Sequence, residues 1–453
     1  MRSASVPEPA RPATPDDSLL SKGVALARRR LIPVLVLMYV FSYLDRLNLS
    51  YAEPSISRTL ELSATVFGAA AGAFFLGYAV LEVPSNLILY RLGARKWLAR
   101  IMITWGAVSM LSALAWDAAS LIVFRVLLGI AEAGFIPGVL FLLMQWFPAR
   151  ERGRATALLF AGPLIAGVVG GPLAGLLLGL DGVAGLHGWQ WLFLVEGLPA
   201  VLIGLWVARW LPNHPGEAGW LDAKTAQAMQ DAIAAEAAST RSREQLSLGK
   251  ALRDRRVLLL AGIYLCYHLV TNGVTFWLAA VVGQLGELST TAFSTLMTIP
   301  ILVAAIGLVV FGRYAGRTSN SRGLLLVGLL IGIAGLTAAA VLPPWLSLVA
   351  VAVASFGSSG LLPVFWELPA RLLTGRAAAG GIALINSIGQ LGGLVGPTLV
   401  GAIKESSGSL DQAYLLLAGV LVVAALLTLL VRFPRDQAET SPSPSTEVEA
   451  ETP

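Results

Sequence analysis

The chain is divided into about twelve unbroken apolar runs, each long enough to cross a bilayer, and that spacing leaves little choice of architecture. A helix needs roughly 20 apolar residues to span about 30 Å of hydrocarbon. Runs of this kind lie near 31–52, 66–90, 97–116, 119–146, 155–180, 190–211, 257–284, 292–313, 323–342, 345–370, 379–403 and 412–432. None alternates apolar and polar residues as a barrel strand must, and in lipid only helices and closed barrels satisfy their own backbone groups. An all-α integral membrane fold with twelve transmembrane helices follows. The low share of charged residues, 13% against about 25% in soluble domains, agrees.

The basic residues fall on one side of this threading. If helices alternate from a cytoplasmic start, then Arg28/Arg29/Arg30, Arg91/Arg95/Lys96, Arg150/Arg152/Arg154, the basic stretch 241–256, Arg313/Arg317/Arg322, Arg371/Arg376 and Arg432/Arg435 all lie inside. Little beyond Arg58 and Lys404 lies opposite. This is the bias that sets orientation, so both termini are expected in the cytoplasm. The bias also accounts for the net charge of +5 without a nucleic-acid partner. The Pro-rich start argues against a signal peptide.

Several chemistries lack their residues. There is no Gly-x-x-x-x-Gly-Lys-Ser/Thr loop for ATP, and three histidines with one cysteine, Cys266, offer neither a metal cluster nor an intrachain disulfide. No enzyme activity, metal or cofactor is expected, and the chain is read as a monomer. Polar composition marks 1–25 and 434–453 as disordered tails. The stretch 212–256 divides the runs six and six, giving bundles over 26–211 and 257–433. An exposed helix along the membrane surface is expected within that stretch, over 222–239.

Asp45 and Arg46 sit in the middle of the first run, where an ionised side chain costs roughly 2.5–3.5 kcal/mol unless a cavity, partner or ligand offsets it. Tyr39, Ser42, Arg46 and Ser50 recur at helical spacing, so Arg46 faces a cavity while Asp45 points about 100° away, to a neighbouring helix. A guanidinium fork matches a carboxylate and stays charged at any relevant pH. Arg125 and Glu132, seven residues apart, share a face of the fourth run and can pair directly or through a third group. In the second run Tyr78, Glu82 and Asn86 form another stripe. Tyr78 can donate to an anion. Glu82 suits a gate, a loop anchor or proton transfer, and Glu196, placed near the outer end of its helix, reads as scaffold.

The second half has no arginine at comparable depth. Its candidates are His268, Asn272 and Thr275 on one helix and Asn386 with Gln390 on another, any of which can equally serve packing between helices. Helix breakers Gly357, Gly360 and Pro363 before Trp366 suggest a bent tenth helix lining the cavity. Glu367 is an unusual acid there, suited to a second proton site, a gate partner for Arg371, or a neighbouring helix.

The short Gly/Arg loops at 93–96 and 312–317 echo each other, as expected of two repeated six-helix bundles. Together with the segments 43–48 (Tyr-Leu-Asp-Arg-Leu-Asn), 77–86, 125–138, 188–197 and 380–389, this organisation resembles the anion:cation symporter family of the major facilitator superfamily. Carriers of tartrate, phthalate and hydroxyphenylacetate form the most similar subgroup. The resemblance implies that Asp45 and Glu132 are proton-carrying acids and that Trp366 and Asn386 line the substrate site. Tyr90 and Gly316 stand where the family's loop motif has acids, so gating through those carboxylates is not implied. The expected function is proton-coupled import of an organic carboxylate by alternating access. Arg46, Arg125, Tyr78, Trp366 and Asn386 would hold the substrate; an exporter or a non-transporting anion sensor are the alternatives.

Overall fold

The computed structural model describes residues 17–240, 254–315, 318, 320–372 and 376–431, without the side chains at 17, 149, 237–240, 367, 370–372, 376–380 and 383. Most of both expected tails, and the basic stretch at 241–253, lie outside the described residues. Within them all regular structure is helical. The first half holds α1 (Asp17–Thr59), α2 (Ala64–Leu92), α3 (Ala94–Ser112), α4 (Ala118–Glu132), α5 (Phe135–Trp146), α6 (Ala149–Leu159), α7 (Ala161–Leu178) and α8 (Gly188–Trp210). After α9 (Ala223–Thr240) come α10 (Arg255–Phe276), α11 (Leu278–Gly283), α12 (Thr290–Ala315), α13 (Ser321–Ala339), α14 (Pro344–Leu372), α15 (Arg376–Ser407) and α16 (Asp411–Leu430).

The pairs α4–α5, α6–α7 and α10–α11 each make one interrupted segment, so with α9 set aside the other fifteen helices among the described residues form twelve crossings in two bundles of six. Nine helical stretches among the described residues are long and apolar enough to cross a membrane by themselves. The crossings of α1, α3 and α15 are not among them; α1 and α3 carry charges, and α15 is rich in glycine and polar residues.

The interruption after Glu132 has a local cause. Gly134 adopts φ +87°, and a Cβ there would come within 2.3 Å of Ser85 Oγ, so only glycine fits. Ser85 Oγ in turn donates to the Ala133 carbonyl at 2.6 Å, satisfying a backbone group that the break frees. Upstream, a capping box between Asp117 and Ser120 fixes the start of α4. Arg125 and Glu132 are thereby set on a helix pinned at both ends.

The bundles meet most closely at the end opposite the Arg-rich loops. Gly72 of α2 lies so near α15 that a Cβ would stand 2.3 Å from the Leu394 carbonyl. Glu405 of α15 accepts from the backbone N–H of Thr65 at 2.9 Å, capping a helix of the other bundle. Lys404 pairs with Glu53 at 3.7 Å and lies over the Trp277 ring at 4.5 Å, and Ser50 donates to the Thr275 carbonyl at 2.6 Å. Toward the basic end the last inter-bundle hydrogen bond among the described residues is Asn386 Nδ2 to Glu82 Oε1, at 2.7 Å.

Two expectations need correction. Helix α1 begins at Asp17, inside the stretch expected to be a tail, and α9 is not an exposed surface helix. Thr225 and Met229 are fully buried, and Gly23 of the α1 extension packs on both. Lys22 pairs with Asp222 at 3.2 Å and Arg152 with Glu236 at 3.0 Å, while Trp220 stacks on Trp146. The Thr225 N–H and hydroxyl, with Lys22, hold the Asp222 carboxyl down at about 2, so it caps α9 as an anion. The amphipathic face read as a membrane contact is satisfied by protein instead.

Candidate functional site

Between the bundles lies a cavity of about 290 Å³. Tyr39, Tyr43, Phe74, Phe75 and Phe160 form its wall on the first bundle; Tyr264, Tyr267, His268, Asn272 and serines of α14 form the other. Arg46 is the sole charged side chain on this wall among the described residues. The polar stripe read on α1 is realised: Tyr39 and Arg46 face the cavity, and Ser42 and Ser50 are buried in hydrogen bonds.

Arg46 donates from Nε and Nη2 to one oxygen of Glu132, Oε1, at 3.0 and 2.6 Å. Ser42 Oγ donates to that oxygen too, at 2.8 Å, whereas buried Oε2 has no hydrogen-bond partner among the described residues. Glu132 is fully buried behind Arg46, whose side chain is 27% exposed. The guanidinium also lies 5.3 Å from the ring centre of Phe74 and 5.6 Å from that of Tyr78, so aromatic faces hold it from the side. A buried carboxylate thus stands directly behind the one cation that an entering anion would meet.

Asp45 turns away from the cavity, as its position on the helix predicts, and accepts from Ser109 of α3. Glu132 pairs with Arg46 of another helix and makes no hydrogen bond to Arg125. All three guanidinium nitrogens of Arg125 are buried without a hydrogen-bond partner among the described residues. Arg125 packs 5.1 Å from the Phe74 ring, close enough to Asp45 and Glu132 to interact electrostatically. Asp45, Arg46, Arg125 and Glu132 therefore form one buried set of two cations and two acids.

The structure separates other expected residues from the cavity wall. Tyr78 is buried beside Arg46, and Arg125 lies behind Phe74. Trp366 packs edge-on against Tyr264, with ring centres 5.1 Å apart. Asn386 is engaged with Glu82, and half-buried Gln390 follows one turn later. His268 and Asn272 do reach the cavity; Asn272 Nδ2 donates to the His268 carbonyl at 2.9 Å, and His268 Nε2 has no hydrogen-bond partner among the described residues. The tenth helix lines the cavity through Ser355, Ser358 and Ser359. The side chain of Glu367 lies outside the described residues.

Some participants were not picked out by sequence reasoning. Ser109 and Trp105 form an i, i+4 pair in an apolar stretch of α3, a signal that could have marked a polar face. Glu196, read as scaffold near the outer end of its helix, lies two turns into α8 and is 3% exposed.

A family model described as the Major Facilitator Superfamily matches residues 35–287 and 286–452. A "Quinolone resistance transporter" of Acinetobacter baumannii is 41% identical over 403 residues, covering 89% of this chain and 93% of that protein. A "Putative tartrate transporter" of Agrobacterium vitis is 39% identical over 403 residues, covering 89% of each. Among solved structures, a bacterial homologue of the human lysosomal transporter Spinster, in an inward-facing and occupied conformation, superposes with a TM-score of 0.74. It covers 89% of this chain and 96% of its own at 19% identity, a likeness of fold.

Proposed function

The chain belongs to the Major Facilitator Superfamily of membrane transporters, and we propose that it imports an organic carboxylate anion together with protons by alternating access. The observation that carries this reading is the Arg46–Glu132 pair on the cavity wall, 2.6 Å at its shortest, with the acid fully buried. Both donor contacts from Arg46 converge on one Glu132 oxygen, so an anion entering the cavity competes for the same fork. Ionised Glu132 opposes that anion by holding the donors and by like charge; protonated Glu132 does neither. Proton and anion each favour the other's binding, which is the linkage symport requires.

Arg125 and Asp45 extend the scheme inward. Arg125 interacts with Asp45 and Glu132 alike, so a proton on one acid alters the balance at the other. Tyr78, Trp366 and Asn386 stand just off the cavity wall and are assigned to closing on the anion when the bundles rock together. The contacts at the end opposite the basic loops suit a state open toward the cytoplasm, with both termini there, in a bacterial inner membrane.

The name of the quinolone-resistance relative supports a second reading, proton-driven export of a metabolite or drug. Against a large drug stands the cavity of about 290 Å³, at the bottom of the roughly 300–1,000 Å³ range of drug-sized sites. Reconstitution in proteoliposomes, with the acid chosen by a thermal-shift panel, tests both. Uptake driven by an inward proton gradient supports symport, exit driven by such a gradient supports export, and binding without flux would leave a sensor.

A further inference from the structure

Glu196 takes no part in this scheme, yet its surroundings are unlike those of a structural acid. It is 3% exposed, and neither carboxylate oxygen has a hydrogen-bond partner among the described residues. The groups that face it come from α1: Asn48, Asp45 and Tyr51. The basic residues of α3, which packs against α8, are Arg95, Lys96 and Arg100 in its first two turns, toward the opposite end. Next to Glu196, Gly197 packs closest on the Gly106 carbonyl and Met110 of α3. Helix α7 has no charged residue at all, and Arg46 and Arg125 face Glu132 and Asp45 instead.

A carboxylate buried without a cation and without a close hydrogen bond costs several kcal/mol, so in this state Glu196 is the neutral acid and carries a proton. Asn48 Nδ2, which faces it, Asp45 Oδ2 and the Tyr51 hydroxyl, which also faces Thr298 of α12, are likewise buried without a close hydrogen bond among the described residues. Native interiors rarely leave such groups unmatched. Here an unused amide donor and an unused carboxylate oxygen, both on α1, face one acid, with the Tyr51 hydroxyl on the next turn. We propose that Glu196 is a further proton-binding site of the transport cycle, exchanging its proton with Asp45.

The step balances within the chain. The O–H bond of Glu196 breaks, an O–H bond forms on Asp45 Oδ2, and the Glu196 carboxylate left behind accepts from Asn48 Nδ2–H and the Tyr51 hydroxyl. Asn48 and Tyr51 follow Asp45 along α1 toward the closed end of the cavity, so Glu196 stands on that side of Asp45. The acids then run in order from Glu196 to Asp45 to Glu132, ending at the Arg46 fork.

This proposal rests on proton coupling in the wild type, and the test separates the two. In proteoliposomes, Glu196→Gln should lower accumulation driven by a pH gradient at least ten-fold while substrate counterflow stays within two-fold of wild type. Tyr51→Phe, which removes one donor oxygen, should lower accumulation several-fold, and Glu196→Asp should restore it in part. Gradient-driven accumulation at the wild-type level in Glu196→Gln overturns the proposal. If that variant does not fold, unchanged accumulation and pH profile in both Tyr51→Phe and Glu196→Asp overturn it. A wild type that ignores the proton gradient would instead refute the symport reading.

Discussion

Replacing Glu132 by Gln keeps the size of the side chain and fixes it in a neutral form, so it isolates what ionisation of this acid does to anion binding. In the structure Arg46 gives both its Nε and Nη2 contacts to Glu132 Oε1. An incoming carboxylate brings a second negative charge to the same fork. At roughly 4 Å and an effective dielectric of about 20, two such charges repel by about 4 kcal/mol. Arg46 is 27% exposed, so solvent screens part of this, and couplings between sites in proteins are typically about 1–3 kcal/mol, or roughly 5–150-fold. Protonation of Glu132 should tighten anion binding by that factor. Calorimetric titration across pH should therefore find wild-type affinity highest at low pH and falling as Glu132 ionises. Glu132→Gln should bind at the acid-limit affinity throughout, with less than about a three-fold residual slope from Asp45. An undiminished pH dependence in the variant would refute the argument that this acid gates the Arg46 fork.

Arg46→Lys keeps the charge but loses the planar fork, and uptake should fall at least ten-fold with the protein still folded; wild-type uptake would remove Arg46 from the site. Gly72→Val forces a side chain against the Leu394 carbonyl, 2.3 Å from where its Cβ must stand, so the closed end cannot seal. Distances between spin labels across that end should shift to longer values, and an unchanged distribution would show that the seam tolerates the bulk. Gly134→Ala meets both the positive φ and the Ser85 contact, and about 1–3 kcal/mol of strain should appear as a lower melting temperature. A melting temperature equal to wild type would mean the break between α4 and α5 is not fixed by that glycine.

Features set by local periodicity were legible in the sequence. Beyond the first, whose helix α1 starts 14 residues early, the apolar runs match the helical crossings to within about six residues, because length in lipid and backbone satisfaction act along the chain. The division of Asp45 from Arg46 was legible for the same reason, since 100° per residue already sends them to different neighbours. What depends on contacts between helices was not. Glu132 shares a face with Arg125 at i, i+7, yet Arg46 of α1 takes it, and only the tertiary arrangement of the helices decides that. The Gly134 interruption is hidden inside an apolar run. The pairing of α9 with the α1 extension joins residues about 200 positions apart, as Lys22 and Asp222 show. The surroundings of Glu196, read only as scaffold, were not legible, because the groups that face it come from a different helix.

The account's central claim is that proton and anion cross together because they act on one fork. It is tested most directly by adding the acid identified by thermal shift to lightly buffered proteoliposomes with no imposed gradient and recording external pH. Symport predicts alkalinisation that begins with the substrate pulse, is abolished by a protonophore and is absent in Glu132→Gln. Substrate entry with no proton movement, or acidification of the medium as it enters, would contradict it.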